Sequence, residues 1–214
     1  MRNRPRPYLS SGAFTILELL VVISIVVLLS VFALNAFNQT LSGSRLASTA
    51  QQVSDAMGLA RSIALARNIP VQIRFYKLPI SGPGGAATTA YRGLQIFTCE
   101  LAATNTVTKP YLFPEPIVTS ADTKKSSLFS ISEITPGPSD PQRISGAAYT
   151  YVPVTFGADG RIQSAANGSL TSTNEWYVTI ETQRDLNSDT TWPNNYATVK
   201  INPVTGNTKI FQPR

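Results

Sequence analysis

Residues 10–37 read SSGAFTILELLVVISIVVLLSVFALNAF. From Ala13 to Leu34 the only charged side chain is Glu18. At 1.5 Å per residue a helix over 13–34 would extend roughly 33 Å, about the hydrocarbon thickness of a bilayer. Arg2, Arg4 and Arg6 precede it, and the next cation is Arg45. That asymmetry predicts a cytoplasmic amino terminus with the remainder of the chain outside the membrane. A carboxylate deep in such a helix costs about 2.5–3.5 kcal/mol, and less near an end, so Glu18 asks for a reason.

Three readings of the segment are open. An ordinary signal peptide calls for an apolar stretch of about 7–15 residues followed by an A-x-A-like cleavage site. The run here is longer, and SVFALNAFNQ at 30–39 offers a poor site. A plain membrane anchor accounts for the run and the arginines but not for Glu18. The third reading is a leader that is cut just ahead of the apolar run, with Glu18 retained near the new amino terminus.

The run continues into a second helical pattern. No proline occurs between Pro7 and Pro70, and Leu46, Ala50, Val53, Met57, Ala60 and Ala64 recur at spacings of four and three, one stripe of a helix. Asn38, Gln39, Arg45, Gln52, Asp55, Arg61 and Arg67 fall largely off it. One helix is expected from Phe14 to about Arg67, ending near Asn68 with Pro70 as a stop. Its first half is apolar all round and its second half amphipathic, and Ser42-Gly43-Ser44 is a weak point between them.

Beyond Pro70 the period becomes that of strands. VQIRFYKL at 71–78 puts Val71, Ile73 and Phe75 on one face, and YRGLQIFTCEL at 91–101 follows a Gly/Pro-rich turn, a hairpin pattern. Residues 102–148 are irregular, with PYLF and SLFSIS as short strand candidates. Asp159-Gly160 within YVPVTFGADGRIQS signals another hairpin. EWYVTIET at 175–182 reads as a strand, and YATVKINPVTGNTKIFQ at 196–212 as a closing hairpin about PVTG. The expected fold class is α+β: a long amino-terminal helix, transmembrane and then amphipathic, packed on a mostly antiparallel sheet domain. Its parts are a leader at 1–13, a membrane or filament-core helix at 14–37, an amphipathic helix at 38–68 and a globular domain at 69–214.

Composition closes several routes to chemistry. The 214 residues contain no histidine and one cysteine, so a Ser-His-Asp triad, a Cys-His pair, a histidine-ligated metal and an internal disulfide are excluded. The carboxylates are scattered and suggest no acid–base pair; no catalysis and no cofactor is expected. The formal charge is +6, half of it from the three leader arginines. The rest is too weakly basic to imply a nucleic-acid partner, and Lys209 and Arg214 read as a solvated tail. Asp185, Asn187 and Asp189 in DLNSD alternate as in the start of a calcium loop, but Thr190 and Tyr196 stand where the loop needs glycine and glutamate. Cys99 reads as a small apolar strand residue.

GAFTILELLVVISIVVLL at 12–29 resembles the class III signal of type IV pilins and pseudopilins. The resemblance implies cleavage by a prepilin peptidase between Ala13 and Phe14, N-methylation of Phe14, and Glu18 as the fifth mature residue. The family usually has glycine before the cut; here Gly12 stands one place earlier, and a cut after Gly12 would make Glu18 the sixth. The resemblance also implies that Glu18 neutralises the amino terminus of a neighbouring subunit in a filament. A second similarity is to GspH/FimT-type minor pseudopilins, carried by Ala60-Arg61-Ser62, Ala64, Arg67-Asn68 and Val71, with VTFGADGRI and VKINPVTGNTKI later. ARSIALARNIPVQIRFY followed by YRGLQIF also resembles the Verru_Chthon cassette protein D type.

These likenesses imply a minor subunit of a type II secretion pseudopilus or a type IV pilus. The implied partners are the prepilin peptidase, other pilins or pseudopilins, an inner-membrane assembly platform and membrane lipid. The implied location is the bacterial inner membrane, single-pass with the sheet domain extracytoplasmic, and then the filament. The alternative from another class is a membrane-anchored extracytoplasmic binding protein, for a ligand or for DNA, that is not built into a filament.

Overall fold

The computed structural model describes residues 15–81, 87–100, 103–138, 140–163, 176–186, 192–193 and 195–213, with the side chains of 31–40, 81, 87 and 103 outside that description. The chain divides into two compact units between Leu41 and Ser42. One helix, α1 (Ile16–Arg67), runs through the boundary without a break in its assignment at Ser42-Gly43-Ser44.

In the first unit α1 opens on Thr15, whose Oγ1 accepts a hydrogen bond from the Glu18 N–H at 3.2 Å. Threonine at the cap and glutamate three residues on is the sequence pattern of a capping box. Ser24 and Ser30 return their hydroxyls to the carbonyls of Leu20 and Val26, so their polar groups are spent within the helix. Among the described residues no helix is long and apolar enough to cross a membrane. The apolar run is described in full from Ile16 to Ser30, fifteen residues, or about 22 Å of helix against a hydrocarbon core of roughly 30 Å.

In the second unit the amphipathic stripe is the core seam. Leu46, Ala50, Val53, Met57, Ala60 and Ala64 are all buried, whereas Arg45, Gln52, Asp55 and Arg67 are exposed. The small residues in the stripe let the backbone approach the sheet closely. Asn68 takes φ 54 just past the last turn, a left-handed cap followed by Pro70.

Among the described residues the sheet has ten strands: β1 (Val71–Ser81), β2 (Ala87–Glu100), β3 (Ala103–Thr106), β4 (Tyr111–Leu112), β5 (Ile117–Thr119), β6 (Thr150–Phe156), β7 (Ile162–Gln163), β8 (Trp176–Thr182), β9 (Ala197–Ile201) and β10 (Thr208–Phe211). The main order is β10-β9-β8-β5-β2-β1-β6-β7, with β3 and β4 also on β2. Every described pairing is antiparallel. The inner face carries Val71, Ile73, Phe75, Leu94, Ile96, Val152, Val154, Val178, Ile180, Val199 and Ile201 against the helical stripe. This is the α+β plan expected, a long amino-terminal helix laid on an antiparallel sheet.

Two hairpins form where their turn residues stand. β6 and β7 close over Gly157–Arg161, with Gly160 at φ 73, and β9 and β10 close over 202–207, with Gly206 at φ 69. A Cβ at Gly206 would lie 2.6 Å from both Arg61 Cδ and the Gly160 carbonyl, so this turn needs glycine for space as well as for φ.

Two expectations change. The β1–β2 ladder extends through Pro79–Ser81 and Ala87–Ala90, which the Gly/Pro content had assigned to a turn. Beyond Lys77, β1 has lost β6 as a partner, and proline is tolerated where one side of a strand is unpaired. The strand expected in SLFSIS is instead a 3₁₀ turn at Ser127–Ser130. Leu128 and Phe129 are both buried, and consecutive side chains of a strand would point to opposite faces.

Candidate functional site

Twelve large apolar side chains between Ile16 and Leu29 are each at least 50% exposed. Water-exposed apolar surface on this scale marks a surface meant for lipid or protein. Glu18 is the single charge among them, in the first turn of α1, where the positive end of the helix dipole favours a carboxylate. That first-turn position gives the Glu18 carboxylate a local role beside any intermolecular one. Gly12, Ala13 and Phe14 lie outside the described residues.

Of the calcium pattern, only Asp185 falls among the described residues. Asp185 ends a 3₁₀ turn and its Oδ2 accepts the Thr182 hydroxyl at 2.6 Å, while Asn187 and Asp189 lie outside the described residues. Among the described residues no three histidine, cysteine, aspartate or glutamate side chains gather as a metal site would need. Cys99 lies half-buried in β2, its thiol pushed up by burial against a smaller opposing pull from Arg74. Lys209 sits on β10 with its ammonium 5.0 Å from the Phe211 ring.

The outer face of the sheet holds polar clusters that local pattern does not announce. Arg74 alternates onto that face, yet it is 3% exposed because residues 131–138 and 140–149 fold over it as a flap. Its Nη1 meets Asp140 Oδ1 at 2.6 Å, Nε donates to Gln72 Oε1 at 2.7 Å, and the guanidinium lies 4.2 and 4.4 Å from the ring centroids of Phe97 and Tyr151. Burial raises the Asp140 carboxyl, but Arg74 and the Gly137 N–H outweigh it and hold the group below its usual range. Beside it, burial pushes the Tyr76 phenol up; its hydroxyl donates to Gln95 Oε1 at 2.6 Å.

Two further carboxylates tie loops to the sheet. Glu133 accepts from Lys77 at 2.6 Å, from Tyr91 at 2.8 Å and from Thr150 at 3.0 Å. Burial opposes ionisation there, and those donors more than compensate, leaving Glu133 below its usual range. Glu181 on β8 is fully buried, 3.5 Å from Lys125 Nζ, and burial raises its carboxyl despite Ser120 and Lys125.

No family model and no curated protein matches the chain. A solved structure, the Pseudomonas aeruginosa type IV minor pilin FimU, is similar at 13% identity and a TM-score of 0.41 over 80% of this chain and 90% of that one. So loose a likeness bears on neither the fold nor the function, which rest on the residues themselves.

Proposed function

We propose that the chain is a minor pilin or pseudopilin, built into a type II secretion pseudopilus or a type IV pilus after prepilin peptidase cuts between Ala13 and Phe14. The observation that carries this reading is the opening of α1: twelve exposed apolar side chains and one carboxylate on a helix whose later turns hold a folded antiparallel sheet. A segment that buries nothing in its own chain needs an outside solvent. Before assembly that solvent is the inner-membrane lipid, entered over 14–37, with the leader cytoplasmic and the sheet domain outside. After assembly it is the matching helices of other subunits.

Glu18 then has two settings. Within its own chain it occupies the first turn over the Thr15 cap. Between chains it meets the new amino terminus of a neighbour, an ion pair that keeps either charge from being buried alone. In this reading the subunit contributes no catalysis. Neighbouring genes discriminate the two systems: secretin and secretion ATPase genes for the pseudopilus, retraction ATPase and competence genes for the pilus.

The test is incorporation into sheared filaments in a cell carrying the cognate assembly genes. Glu18→Ala is expected to leave the protein in the membrane fraction and out of the filaments, while Thr15→Ala, which removes only the cap, still enters them. Equal incorporation of Glu18→Ala and the wild type would remove the intermolecular role and favour the anchored binding protein.

A further inference from the structure

We propose that a groove on the outer face of the sheet domain is a docking site for an acidic, partly apolar segment of a partner polypeptide. The groove lies between the connection that holds Lys109 and Pro110 and the flap that holds Arg143 and Ile144, and has a volume of about 420 Å³. Pockets of roughly 300–1,000 Å³ accept a small ligand or a few side chains.

Its chemistry selects the partner. Gln95 and Ile144 are buried and Leu112 is half-buried, giving a mostly apolar lining with one amide. Lys109 and Arg143 are exposed, and no aspartate or glutamate lines the groove. A purely apolar partner would strip water from two cations without replacing it, whereas carboxylates spaced between apolar side chains complement both features. A single-stranded nucleic acid would call for a longer cationic track and aromatic faces to stack on, and no aromatic residue lines this groove.

The groove is held in shape before anything binds. The Gln95 amide donates to the Thr108 carbonyl at 2.6 Å, which ties the Lys109 side to β2. The Arg74–Asp140 pair and the Tyr149 hydroxyl on the Pro141 carbonyl, at 2.6 Å, tie down the flap. At the tip Ile144 and Ala147 form a bridge across Ser145 and Gly146, which take φ 49 and φ 79. Two successive positive φ values make the tight turn of a type I′ hairpin, and a serine there is uncommon. Arg143 Nη1 donates to the Gly146 carbonyl at 3.0 Å, which fixes the guanidinium across the tip. An arginine has five N–H donors in all. A preformed site of this kind loses less entropy on binding than a mobile one.

The experiment uses the full chain in detergent micelles and a short peptide alternating leucine and glutamate, labelled with an uncharged dye and read by fluorescence anisotropy. Saturable binding is expected, weakened about tenfold in the Lys109→Gln, Arg143→Gln double variant and by a similar factor when the peptide carries glutamine for glutamate. Both substituted side chains are exposed, so an unchanged melting temperature checks that the variant is folded. Absence of saturable binding, or equal binding by the variant, overturns the proposal. So does equal binding of the glutamine peptide. A single-stranded oligonucleotide that binds in a variant-sensitive way while the peptide does not would overturn it in favour of nucleic acid.

Discussion

Arg74 Nη1 lies 2.6 Å from Asp140 Oδ1, across sixty-six residues of sequence, with the guanidinium between Phe97 and Tyr151. This pair closes the flap over the sheet. Replacing one member leaves the other buried without its counter-charge, so Asp140→Asn is expected to cost about 3 kcal/mol in denaturant unfolding. The pair also sets an acid limb. Folded Asp140 releases its proton more readily than unfolded Asp140, so below the unfolded value of about 4 the unfolded state binds more protons and stability falls with pH. That slope should be shallower in Asp140→Asn, with Glu133 supplying what remains.

The Lys125–Glu181 pair runs the other way. Burial raises the Glu181 carboxyl, so its contribution to stability grows as pH falls from neutral through the raised value toward the unfolded one. At neutral pH the charged pair is held at a desolvation cost. Lys125→Met should destabilise by about 3 kcal/mol at neutral pH because Glu181 loses the cation that offsets its burial, while adding Glu181→Leu should recover most of the loss. A double variant as unstable as the single would show that the pair itself is needed.

The helical stripe separates buried from exposed positions cleanly enough to test by size alone. Ala60 is fully buried and Leu59 beside it is 46% exposed. Ala60→Leu should cost about 1–3 kcal/mol by overpacking the helix–sheet seam, and Met57→Ala about 2–5 kcal/mol by emptying it. Leu59→Ala should stay within about 0.5 kcal/mol of the wild type. Thermal unfolding of the three variants compares them directly.

The cap at Thr15 predicts a local effect. Thr15→Ala removes the acceptor for the Glu18 N–H and should cost about 1 kcal/mol of helix stability at that end. Amide exchange in micelles should quicken over the first turn of α1, and the sheet domain should exchange as before.

Much of the architecture was legible because it is periodic. The 4-3-4-3-4 stripe from Leu46 to Ala64 picked out the residues that the sheet buries, and Asp159-Gly160 and PVTG at 203–206 marked two hairpins by the φ values their glycines adopt. What failed was non-periodic or non-local. Leu128 and Phe129 looked like a strand but turn within a 3₁₀ segment, and Pro79 looked like a turn but extends an edge. The flap was invisible because nothing near Arg74 or near Asp140 signals the other. An arginine alternating in register with Gln72, between the apolar Ile73 and Phe75, was the one available sign that something covers that face. The assembly residues are the reverse case: Gly12, Ala13, Phe14 and Glu18 are read from motif alone, and only Glu18 falls among the described residues.

The central claim is that this chain is processed as a prepilin. Its most direct test is the mass of the amino-terminal peptide from cells with and without the prepilin peptidase. The account predicts a peptide beginning at N-methylated Phe14 only when the peptidase is present, which places Glu18 fifth in the mature chain. An intact leader in both strains, or a cut beyond Phe37, would contradict it.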